Sequence, residues 1–153
     1  MALTLAQLLG TPVHASEWDL NDALEQFSKS TAGSSAIAAG RVVTLHGGTA
    51  AIATSGSTGR MGIVPNLAPL NVDADSKLKV ITRVGAQYFA EANGAIPVGA
   101  QCLPDTGGKV KAGTGAQGFA IYRGHDGEGT IGNPATAAIA GDPIKIELTG
   151  QVV

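Results

Sequence analysis

Glycine interrupts this chain so often that no long uninterrupted element fits it. Twenty-two glycines and seven prolines are spread along 153 residues with no period-three repeat. A glycine inside a helix or strand costs backbone entropy, whereas at a tight turn its freedom is useful. The scatter therefore fits many short strands joined by turns and excludes collagen. The hydrophobic fraction is 44% but aromatics make up only 4%. The core must then be assembled mostly from Ala, Val, Ile and Leu, which bury less area each than large rings. A thin core in a glycine-rich chain makes association with further copies an expectation.

The charge balance narrows the partners. The formal net charge is -2, with acidic and basic residues scattered singly. No basic stripe faces nucleic acid, so direct nucleic-acid binding is not expected. No apolar run approaches the ~20 residues that span a bilayer as a helix, so no membrane partner is expected. The single Cys102 has no second thiol for a disulfide or a zinc site and reads as a small buried hydrophobe. Residues 1–16 (MALTLAQLLGTPVHAS) have a short apolar stretch, but they lack a basic start and are broken by Gln7 and Gly10. They read as an N-terminal arm and not as a secretory signal.

Residues 16–29 (SEWDLNDALEQFSK) predict a helix. Ser16 can cap, Asp19 stands three residues later, and Glu17, Asp19 and Asp22 favour the positive helix end. Trp18, Leu20, Leu24 and Phe27 give it an apolar stripe, which docks either on the chain's own barrel or on a neighbouring subunit or shell. Residues 28–35 form a polar linker. From Ala36 the texture is β: RVVTL at 41–45, a Gly47-Gly48 turn, TAAIAT at 49–54, GIV at 62–64, KLKVITRV at 77–84 and QYFA at 87–90. GAIPVG at 94–99, a turn-rich stretch at 104–108, KVKA at 109–112, GFAIY at 118–122 and IKIEL at 144–148 follow. About eight short strands result, which close most naturally into a barrel or sandwich. The expected fold is all-β: a small antiparallel β-barrel or β-sandwich, jelly-roll-like or β-tulip-like. Residues 1–35 form an arm, short helix and linker before it, and residues 36–153 the β domain.

No motif for catalysis stands out. SGSTGRMG at 55–62 lacks the spacing of a phosphate-binding loop and reads as a turn. It faintly resembles the nucleotide loop of trimeric dUTPases, but the rest of that pattern is missing. His125, Asp126 and Glu128 in GHDGEG offer three potential ligands without a second group nearby, and read as a solvated loop. His14 and His46 are isolated. Only 14% of residues are charged, which leaves few groups to tune for acid–base work. The expectation is a protein that is not an enzyme and holds no cofactor, metal or catalytic residue.

The order of AAGRVVTLHGG, KVITRVGAQYFAEANGAIPVGAQCLPDTGGKV, GFAIYRG and AGDPIKIEL over residues 36–149 resembles bacteriophage capsid decoration, or cement, proteins. The resemblance implies a β subunit that assembles as a homotrimer. Such a trimer sits outside an icosahedral head at three-fold and quasi-three-fold positions and bridges neighbouring major capsid proteins against DNA pressure. It also implies a virion location after synthesis in the host cytoplasm. The helix before the barrel departs from that pattern. Leu3, Leu5, Leu8 and Leu9 of the arm, with Trp18, Leu24 and Phe27, are the candidate apolar anchors to shell or subunit, or else cover an open end of the barrel. The alternative function is a carbohydrate-binding or host-attachment module, which Tyr88, Tyr122 and His125 grouped on one exposed face would favour. A trimeric dUTPase-like hydrolase is a further alternative, which carboxylates converging near Ser57–Arg60 would favour.

Overall fold

A computed structural model describes residues 4–14, 24–29, 37–66, 77–113, 115 and 117–153. Among them ten strands, one short α-helix and a 3-10 turn (Thr106–Gly108) form a nearly all-β body. The strands are β1 (Leu24–Lys29), β2 (Val42–His46), β3 (Thr49–Ile52), β4 (Arg60–Ile63) and β5 (Lys77–Ile81), then β6 (Gln87–Glu91), β7 (Gln101–Asp105), β8 (Lys109–Ala112), β9 (Ala120–Tyr122) and β10 (Pro143–Leu148). The first five close into a barrel of order β1-β3-β2-β4-β5, and the last five form a sheet of order β6-β10-β9-β7-β8. The all-β expectation is met, with a closed barrel and a second sheet in one chain.

The alternation of side chains across a strand explains how the two layers share a core. On β2, Val43 and Leu45 point into the barrel with Phe27, Ala50, Leu78 and Val80. Val42 points the other way and joins Met61, Ile63 and Ile81 against Tyr88, Ala90, Ile144 and Ile146 of the second sheet. Both faces of β2 are therefore buried, which is why its sequence is nearly continuously apolar instead of alternating. Gly62 has no room for a side chain: a Cβ there would lie 2.3 Å from Val80 Cγ1.

The helix predicted over 16–29 is corrected in its second half. Residues 24–29 are β1, antiparallel to β5 from Leu24↔Ile81 to Ser28↔Lys77 and parallel to β3 at Ser28↔Thr49. Residues 16–23, with Trp18, lie outside the described residues. Local helix signals lose here because β1 pairs with both free edges of the barrel and buries Phe27 inside it. Among the described residues the α-helix is α1 (Leu5–Leu8), and its capping box is Thr4 with Gln7: Gln7 N–H donates to Thr4 Oγ1 at 3.3 Å, and Thr4 N–H to Gln7 Oε1 at 2.9 Å.

Strand β7 crosses a stretch read partly as turn, and Pro104 sits within it. Pro104 pairs with Val110 of β8. On the other side β9 reaches only Gln101 and Cys102, so the proline's missing N–H falls beyond the end of that partner. Conversely, residues 94–99 hold a single bridge, Ile96↔Ala138, and no strand.

Candidate interaction surfaces

The N-terminal arm fills the seam between barrel and sheet. Gly10 N–H donates to Phe89 O at 2.9 Å, Phe89 N–H to Thr11 O at 3.1 Å and Val13 N–H to Gln87 O at 2.9 Å, so residues 10–13 lie along the edge of β6. On the barrel side, Asn66 N–H donates to Gly10 O at 2.9 Å. Gly10 has φ +76° and a Cβ there would lie 2.7 Å from Gly40 N, so only glycine fits this crossing. Of the seven anchor candidates, Leu8 and Leu9 are buried within the chain, Leu5 is half-buried on α1 and Leu3 lies outside the described residues. Phe27 is buried in the barrel, Leu24 starts β1, and Trp18 is outside the described residues. Among the described residues, Leu8, Leu9 and Phe27 are enclosed by the chain itself.

Among the described residues, the large apolar side chains that face solvent are Val84, Val98, Ile131, Ile139 and Val152. Ile131 and Ile139 belong to the segment between β9 and β10, and Val98 stands two residues beyond the Ile96↔Ala138 bridge that holds this segment to residues 93–100. The sequence reading missed them because a lone Ile between Gly and Thr carries no periodicity.

The long segment at residues 123–142 is held by polar partners that the sequence scattered. His125 Nε2 lies 2.8 Å from Asp142 Oδ2, and Nδ1 lies 3.0 Å from Glu128 Oε2 and 3.1 Å from the Tyr122 hydroxyl. The Tyr122 hydroxyl donates to Thr136 O at 2.5 Å, and Thr136 N–H donates to Glu128 Oε2 at 3.0 Å. The Thr136 amide, then the His125 ring and the Thr136 hydroxyl, lower the Glu128 carboxyl to about 2. Burial and the charges of Glu128 and Asp142 push the Tyr122 phenol up to about 12. His125 and Glu128 of the GHDGEG loop are thus engaged in a network, while Asp126 is exposed. Both ring nitrogens of His125 face carboxylates, so neither offers a lone pair to a metal. Among the described residues no group of side chains has the arrangement of a metal site.

A second polar cluster lies at the seam. The buried Glu91 meets Lys109 Nζ at 2.9 Å and Arg41 Nη2 at 3.6 Å. Arg41 Nη1 is buried with no hydrogen-bond partner among the described residues. At the turn read as 55–62, Arg60 forms a two-pronged pair with Glu25, at 3.0 and 2.5 Å. Hydrogen bonds from Arg60 and Thr82 hold the Glu25 carboxyl below its ordinary value. The carboxylate near Ser57–Arg60 is thus Glu25 of the same chain, used in an ion pair. Tyr88 and Tyr122 are 2% and 1% exposed, so they do not form an aromatic platform. Cys102 is buried and its thiol is pushed up to about 12 by burial. No helix among the described residues is long and apolar enough to cross a membrane.

No family model matches the chain, and no curated protein matches its sequence. Among solved structures it is similar to the head fiber gp8.5 N base in bacteriophage phi29, at 12% identity and a TM-score of 0.49, over 85% of this chain and 96% of that one.

Proposed function

We propose that this chain is a structural protein of a bacteriophage head, a cement subunit that binds the outside of the capsid as a homotrimer and bridges neighbouring major capsid proteins. The observation that carries this reading is the agreement between the resembling segments and the fold. RVVTL overlaps β2, KVITRV lies on β5 and its end, and QYFAE, QCLPD and KVKA are β6, β7 and β8. GFAIY ends in β9, and DPIKIEL contains β10, the strand that pairs with both β6 and β9. The resemblance therefore rests on elements that build one body and not on loose composition.

A cement subunit needs a rigid body, a surface for its own copies and a patch for the shell, with affinity multiplied by symmetry. The closed barrel suits the first need, and the solvent-facing Val84, Val98, Ile131, Ile139 and Val152 are apolar contact points for the others. The proposed role calls for no catalysis, cofactor, nucleic-acid contact or membrane. Light scattering on the protein alone, then cosedimentation with heads of the phage that encodes it, tests the reading. A particle of three chains that binds heads to a fixed stoichiometry is expected. A monomer that stays in the supernatant would overturn it.

A further inference from the structure

The His125 network constrains where protons sit. The Tyr122 hydroxyl has one proton, and it is directed to Thr136 O. That hydroxyl cannot also donate to His125 Nδ1, so Nδ1 must itself be the donor, to Tyr122 or to Glu128 Oε2. Nε2 faces Asp142 Oδ2, which already accepts from Ile139 N–H at 2.8 Å and has no proton to give as a carboxylate. Both ring nitrogens must then carry hydrogen, which makes the ring an imidazolium. A neutral ring would turn one nitrogen lone pair toward a carboxylate oxygen about 3 Å away, a repulsive contact.

The ring also sits where it can hold a long segment. Residues 123–142 form no strand of their own and are longer than most connections in compact domains. Glu128 belongs to the middle of this segment, Asp142 to its end and Tyr122 to the strand before it. We propose that His125 is a proton-dependent latch: its imidazolium ties Glu128 and Asp142 together and pins residues 123–142 to the second sheet, and loss of one ring proton loosens that segment. The surface carrying Ile131 and Ile139 then changes with pH, independently of whether the protein decorates a head.

The charged groups around the ring agree in sign. Glu128 faces it from the segment and Asp142 from the entry to β10, while the Tyr122 phenol of β9 beside it is neutral. Lys145 of β10 turns its ammonium to the Glu128 carbonyl and not to the ring. Asp126 is exposed next to it in sequence. Burial alone would lower the ring's affinity for its proton, but the hydrogen bonds to Asp142 and Glu128 outweigh it and hold the His125 pKa above its ordinary value. A raised folded value means that the latch contributes fully below the unfolded value of about 6.5 and is lost as pH rises through the folded value.

Proton NMR titration of the full chain tests the latch without any variant. The three histidine rings are assigned with His14→Gln and His46→Gln, both at exposed positions. The expected result is that His125 titrates above the ordinary histidine value of about 6.5. After correction for the intrinsic rate, protection of the Thr136, Ala138 and Gly129 amides should then fall about tenfold for each pH unit between the ordinary and raised midpoints. Asp142→Asn should lower the His125 midpoint, and His125→Gln should make the protection independent of pH. A His125 midpoint at or below about 6.5, or protection unchanged while the ring loses its proton, would overturn the proposal.

Discussion

The barrel of β1–β5 and the sheet of β6–β10 have the same number of strands, yet only the barrel closes through its own ladder. Its closure uses one parallel pairing, β1 on β3, and its interior cluster is wholly apolar: Phe27, Ile37, Val43, Leu45, Ala50, Val64, Leu78 and Val80. The sheet instead has its β6 edge covered by arm residues 10–13, and a single parallel bridge, Ala92↔Val110, links the end of β6 to β8. It also carries the buried Glu91 and the Tyr122–His125 network. The barrel interior is held by shape, with the exposed Arg60–Glu25 pair on its outside, whereas the sheet is held by shape together with buried and half-buried polar partners. Perturbations of volume should therefore act most on the barrel, and perturbations of charge and pH on the sheet.

The largest effect is expected for Phe27→Ala, about 3–5 kcal/mol of lost stability in denaturant titration, because the ring fills the barrel interior. A near-neutral change would mean that Phe27 is free to serve an external partner and that the comparison is drawn in the wrong place. Glu91→Ala should cost less, about 1–3 kcal/mol, by leaving the half-buried Arg41 without its carboxylate. The same measurement checks it, and a gain in stability would show the seam to prefer an apolar contact.

How much of this was legible follows from the same contrast. The strands with period-two alternation, Lys77–Ile81 and Pro143–Leu148, could be read because each turns one face to a core. The strand Leu24–Lys29 could not, because its place depends on the free edges of β3 and β5, whose paired residues lie 21 to 57 residues further along. Local signals such as Asp22 carry no information about such edges. The true capping box, Thr4 to Gln7, had the right spacing but lay in a stretch too short and apolar to look like a helix start. The His125 network was half visible: GHDGEG supplied His125 and Glu128, while Tyr122 came from β9 and Asp142 from the residue just before β10. Sequence proximity finds partners within a loop, not those that the sheet brings beside it.

Acid should separate the halves more gently. Thr136 N–H, then the His125 ring, hold Glu128 at about 2 against an ordinary 4.5. A depressed folded value contributes stability above pH 4.5 that is lost as pH falls toward 2. Melting temperatures across that window should fall in the parent chain, with part of the fall missing in Glu128→Gln. An identical fall in both would remove Glu128 from the polar support of the sheet. The smallest effect, at most about 0.5 kcal/mol, is expected for Arg123→Ala, whose 3.1 Å pair with Glu147 is exposed. A larger loss in the same denaturant titration would show that surface charge also stabilises the β9–β10 pairing.

The proposed role as a head cement meets its most direct test in the heads themselves. Heads filled with DNA, prepared with and without this protein, are warmed in steps while DNA release is followed by dye fluorescence. Release at a higher temperature when the protein is bound, restored by adding purified protein back to bare heads, is the expected result. The same release temperature with and without bound protein would contradict the account.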